Sequence, residues 1–108
     1  MAQLTVQQIA QTGITPTYGA AASGGDTFKN SGKTFLIVKN GGASPINVTI
    51  NSLKPCDQGF DHDLVIAVPN ASEKWIGPLK PDRFNDGNDL VGVTYSAVTS
   101  VTVAAVEP

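Results

Sequence analysis

A chain of 108 residues is the length of one domain and too short for two. Hydrophobic residues make up 41% and charged residues only 15%, below the roughly 25% usual in soluble domains, with Ser, Thr, Asn and Gly filling the difference. The net charge is -2 and the seven Lys and Arg are scattered, so no basic patch tracks phosphates and no nucleic acid partner is expected. The single cysteine, Cys56, excludes an internal disulfide and a cysteine-based zinc site. Residues 1–10 lack the basic-then-apolar pattern of a signal peptide, and no apolar stretch approaches the roughly 20 residues of a membrane span.

The first segment reads two ways. Thr5 and Gln8 have the spacing of a helix capping box, but Leu4-Thr5-Val6 alternates as a strand does, and a strand is expected. Residues Ile14 to Asp26, rich in Gly, Ala, Ser and Thr, read as extended and irregular: either a surface loop or an arm that docks on a neighbouring subunit. Thr34 to Lys39 is apolar on both faces, which suits a central strand, and Asn40-Gly41-Gly42-Ala43-Ser44-Pro45 reads as a hairpin loop leading onward. Ile46, Val48 and Ile50 share one face of the next strand and Asn47, Thr49 and Asn51 the other, so the first three are expected in the core. Leu64 to Val68 is a strand stopped by Pro69, which cannot donate to a ladder. Glu73 to Ile76 carries the sole tryptophan, Trp75, expected in the core or, failing that, as an interface anchor. Leu90 to Tyr95 and Val101 to Val106, joined by Ser96 to Ser100, read as a second hairpin. Seven or eight short strands in this length predict an all-β fold: one antiparallel β-sandwich over residues 1–108, jelly-roll or immunoglobulin-like, with 14–26 as the arm or loop.

Little in the chain points to chemistry. Asp61-His62-Asp63 holds the only histidine, and three adjacent side chains on an extended backbone diverge, so no metal site is expected there. No nucleophile elbow accompanies the serines, and enzymatic activity is not expected. Asp82 to Asp89 is rich in oxygen ligands, but Phe84 stands where a calcium loop needs a ligand, and Asn85-Asp86-Gly87-Asn88 is a turn signal. The pairs Gly24-Gly25 and Gly41-Gly42 open no helix and make no phosphate cradle. No catalytic residue, metal, cofactor or small-molecule substrate is expected.

Several runs together carry a resemblance. They are Gly25-Asp26-Thr27-Phe28-Lys29-Asn30-Ser31-Gly32-Lys33-Thr34-Phe35-Leu36, then Val38-Lys39-Asn40-Gly41-Gly42-Ala43-Ser44-Pro45 and Asn47-Val48-Thr49-Ile50. Val68-Pro69, Ile76-Gly77-Pro78, Phe84-Asn85-Asp86 and Val91-Gly92-Val93-Thr94-Tyr95-Ser96 follow. Over residues 3–106 this succession resembles a family of small proteins encoded among the head genes of tailed bacteriophages and prophages. The segment Lys54 to Asp63, with Cys56, Phe60 and His62, departs from it. The resemblance implies a non-enzymatic β-sandwich of the virion that decorates or cements the capsid surface, made in the bacterial cytoplasm, with the major capsid protein and copies of itself as partners. A head–tail connector or tail component is the alternative; a host- or carbohydrate-binding module is the alternative of another class. On the decoration reading the exposed loops clamp capsid subunits, and the interface candidates are Thr15, Thr17 and Tyr18 from the first loop, Arg83, Phe84 and Asn85 from the second, and Trp75.

Overall fold

The structure is a computed structural model that describes residues 2–52, 63–79, 81–85 and 87–108. In chain order the elements are β1 (Ala2–Leu4), β2 (Val6–Gln8), β3 (Gly19–Ala20), β4 (Asp26–Lys29), β5 (Phe35–Asn40), β6 (Ile46–Ile50), β7 (Leu64–Val68), β8 (Ser72–Ile76), one helical turn α1 (Pro81–Phe84), β9 (Leu90–Tyr95) and β10 (Val101–Glu107). They form two sheets. The first has the order β1-β4-β9-β6-β7 and the second β2-β10-β5-β8, with β3 pairing β10 on the edge that β2 also uses. The fold is the expected all-β sandwich. The three short N-terminal strands raise the number of strands among the described residues to ten, and both sheets are mixed because β1 runs parallel to β4 and β2 parallel to β10.

The core follows from strand periodicity. Ile46, Val48 and Ile50 face inward as their alternation predicts, opposite Val68, Ile66 and Leu64 of β7. Phe28, Leu36, Val38, Val91, Val93 and Val103 complete the inner layer at 0–1% exposure. Each such side chain stabilises the fold by roughly 1.5–3 kcal/mol relative to exposure. β5 is central, as its apolar character on both faces predicts: Leu36 and Val38 enter the intersheet core, and Ile37 is fully buried on the opposite face.

Two expected hairpins are absent. β5 and β6 lie in different sheets, as do β9 and β10, so residues 41–45 and 96–100 are arches that carry the chain across the sandwich. Hydrophobic periodicity sets which face of a strand is buried but not which sheet receives it, and Asn-Gly-Gly suits an arch as well as a hairpin. The arches are tied together by Gly41 N–H donating to Ser100 O at 2.8 Å. Buried Asn40 fixes the first arch. Its Nδ2 donates to Ser44 O and Val68 O, and its Oδ1 accepts from Gly42 N–H. A side-chain amide satisfied three ways is a sufficient reason for Asn at a 2% exposed position.

Candidate functional site

The segment read as an arm or loop docks on its own sandwich. β3 pairs with β10, putting Gly19 opposite Val103 and Ala20 opposite Thr102, and Ala21 N–H donates to Val101 O. The Gln7 side chain clasps the loop closed, its Nε2 donating to Thr17 O and its Oε1 accepting from Thr17 N–H, both at 2.9 Å. Ile9 N–H donates to Glu107 O and Gly13 N–H to Ala10 O. Residues 9–18 therefore come to lie on the outer face of the second sheet.

That face is built in rows across β8, β5 and β10. One row is Glu73, Lys39 and Thr102; the next is Trp75, Ile37 and Ala104. Ile37, Ala104 and Val106 are buried at 0–3% exposure although they stand outside the intersheet core. Between the docked loop and the sheet an open cleft of about 460 Å³ is lined by Ile9, Ile14, Pro16, Tyr18, Lys39, Glu73, Trp75 and Val106. A second hollow of about 500 Å³ continues from Lys39 and Glu73 to Asn40, Gly41 and Ser72.

Trp75 is 55% exposed, against the expectation of a core position. The reason is register: Ile76 faces the core from β8, so its neighbour Trp75 must face out, opposite outward-facing Ile37. Its indole N–H makes a long contact of 3.4 Å to Glu73 Oε2. Lys39 Nζ stands 4.1 Å from the Tyr18 ring centroid, a cation–π geometry that pins the docked loop to β5. The cleft thus offers an exposed aromatic plate, an apolar floor, one carboxylate and one ammonium. Those groups make contacts; they do not form a nucleophile with an adjacent base.

The interface candidates divide. Tyr18 and Trp75 line the cleft together, and Thr15 and Thr17 are exposed on the loop that borders it. Phe84 is not available to a partner: it is 4% exposed and belongs to the intersheet core, a correction to its expected interface role. Asn85 is engaged within the fold, its Nδ2 donating to Asn30 O and its Oδ1 accepting from Asn30 Nδ2, both at 2.8 Å. Buried Asn30 also donates to Leu79 O, so Leu79 and Asn85 are both tied to the β4 end. The side chains of Asp82 and Arg83 and the residues Asp86, Cys56, Phe60, Asp61 and His62 lie outside the described residues. Among the described residues no group of three His, Cys, Asp or Glu side chains stands close enough to hold a metal ion. Lys39, Glu73, Ile9, Ile14 and Pro16 were not anticipated. The alternation of Phe35 to Lys39 already placed Ile37 and Lys39 on one face, but nothing local says that residues 9–18 fold back over them.

One buried polar group lies elsewhere. Asp26 is fully buried at the start of β4, with Oδ2 accepting from Tyr95 Oη at 2.7 Å and from Ala22 N–H at 3.2 Å, while Oδ1 has no partner among the described residues. Burial pushes the Tyr95 hydroxyl well above its ordinary value, and the Asp26 carboxylate beside it pushes the same way. Gly25 precedes it at φ +94°, where a Cβ would stand 2.6 Å from Val93 O, so only glycine fits this turn. These groups face the sandwich interior and serve the fold. Comparison with protein-family models, curated proteins and solved structures returned no match to this chain.

Proposed function

We propose that the chain is a non-enzymatic structural protein of a tailed-phage virion, a decoration protein that binds the assembled head through the outer face of its second sheet. The resemblance over residues 3–106 supplies the class. The observation that carries the contact surface is Trp75, more than half exposed on a rigid strand beside Tyr18 and the cleft. A large aromatic held with little rotamer freedom is the kind of residue that anchors an interface. The weakly charged surface suits repeated binding in a symmetric array, where many modest contacts add.

The test is quantitative mass spectrometry of purified particles from the encoding phage or prophage, together with head binding by Trp75→Ala. A copy number near that of the major capsid protein is expected. A number matching one small ring supports the connector or tail reading, and absence from the particle overturns a virion role. Trp75→Ala is expected to stay folded, since the ring faces out, and to weaken head binding by at least about 2 kcal/mol, roughly thirtyfold. Unchanged binding would move the contact off this face.

One observation favours a second reading, a carbohydrate-binding module. An exposed tryptophan flanked by a carboxylate and an ammonium resembles a platform for a neutral sugar, the ring taking the apolar face and Glu73 and Lys39 the hydroxyls. A glycan array with no hits disposes of it.

A further inference from the structure

The edges of the two sheets are not treated alike. A free strand edge is a template for another chain, and proteins blunt it by shortness, charge, proline or cover. Here β1 and β2 are three residues long and β3 two. β8 carries Glu73 and Lys74 side by side. Among the described residues nothing covers β7, and the strand itself has none of the other devices. It is five uncharged apolar residues, Leu-Val-Ile-Ala-Val, paired only with β6 among the described residues. Val65 is 58% exposed, the highest value among the exposed large hydrophobic residues, and Ala67 on the same face is exposed.

We propose that β7 pairs edge to edge with β7 of a second copy of this chain, antiparallel and about a two-fold axis through Ile66. The occupant is argued from charge and self-complementarity. A two-fold contact sets the same surface against itself, so a charge near the axis would meet its like. Among the described residues of this face there is none: the cross-strand neighbours of Val65 and Ala67 are Thr49 and Asn47, and beyond Thr49 lies Thr94. In the Ile66-centred register Val65 of one copy stands opposite Ala67 of the other, and Leu64 opposite Val68. Asp63, just before the strand, falls opposite Pro69 and not opposite another acid. The partly buried inner-face residues Leu64 and Ile66 gain cover, and the backbone groups of β7 turned away from β6 gain partners. The inference stands on the edge itself and not on the virion reading.

The experiment is sedimentation equilibrium of the purified chain from low to high micromolar concentration, beside Val65→Lys, Ala67→Lys, Thr94→Lys and Trp75→Ala. Wild type is expected to approach twice the monomer mass. Val65→Lys and Ala67→Lys each put like charges across the axis and are expected to remain monomers with unchanged circular dichroism. Thr94→Lys, away from the edge, and Trp75→Ala, on the other sheet, are expected to dimerise as wild type does. A wild type that stays monomeric throughout, an odd-numbered oligomer, a dimer that survives both edge lysines while they stay folded, or one lost in Trp75→Ala overturns the proposal.

Discussion

Asp26 and Tyr95 form a contact whose strength depends on pH in one direction. The Tyr95 hydroxyl donates to a fully buried carboxylate, so its ionisation would set two negative charges together out of water. Its folded value lies above the unfolded value of about 10, so its contribution is fully present below about pH 10 and is lost as pH rises toward the folded value. Urea denaturation of wild type from about pH 8 upward is expected to show stability falling above about pH 10. Tyr95→Phe removes that alkaline loss and costs about 1–2 kcal/mol at neutral pH, because Asp26 Oδ2 then keeps only the Ala22 N–H. Equal alkaline slopes in the two proteins would mean that other groups dominate. The strand facing of β6 is tested as directly. Val48 has no exposed surface, and Val48→Asp buries an unpaired carboxylate, costing about 4 kcal/mol or more, enough to unfold a marginal domain. Thr49→Asp on the solvent face is expected to cost under about 1 kcal/mol by the same denaturation curve.

At the level of elements, the N-terminal quarter behaves otherwise than its composition implies. An arm can be cut without harm to the body that carries it. Here residues 2–26 supply β1, β2 and β3, the clasp of Gln7 on Thr17, and buried Ala21 and Asp26. A chain beginning at Thr27 is therefore expected to be largely unfolded by circular dichroism, not merely impaired in binding; a cooperative thermal transition near that of wild type would show the segment to be dispensable. The difference marks what could be read from the sequence. Period-two alternation in 46–50, two-sided apolarity in 35–38 and the stop at Pro69 are local signals, and each placed its strand correctly. β1, β2 and β3 are held by backbone pairing to β4 and β10, partners that no local pattern names. The same holds for the arches: local chemistry marks the turn, while the choice of sheet belongs to the whole packing.

For the whole molecule, the proposed contact surface was half legible. Trp75 and Tyr18 are residue types that serve interfaces, and they meet at one cleft although 57 positions separate them in the chain. Phe84 and Asn85 carry equally suggestive chemistry, yet the fold uses one as core and the other, half-buried, as a hydrogen-bonding lock on Asn30. Composition distinguishes neither pair, because exposure is a property of register and docking. The outer face of the second sheet and the edge at β7 belong to different sheets, so the two contacts proposed above, Trp75 on the shell and β7 on a sister chain, do not compete for one surface. The two contacts are then separable: Val65→Lys is expected to leave head binding by a single copy intact while lowering occupancy through lost avidity, which titration of empty heads reads out.

The position of β10 has a consequence for synthesis. This last strand is the hub of the second sheet, with β2 and β3 along one edge and β5 along the other. The ribosome delivers it after every strand it must join, so β2, β3 and the loop between them have no sheet to dock on until β10 emerges. Val6 waits for Ala105. β1 with β4, β5 with β8 and β6 with β7 can pair before β10 emerges, but the second sheet closes only when β10 joins β2, β3 and β5.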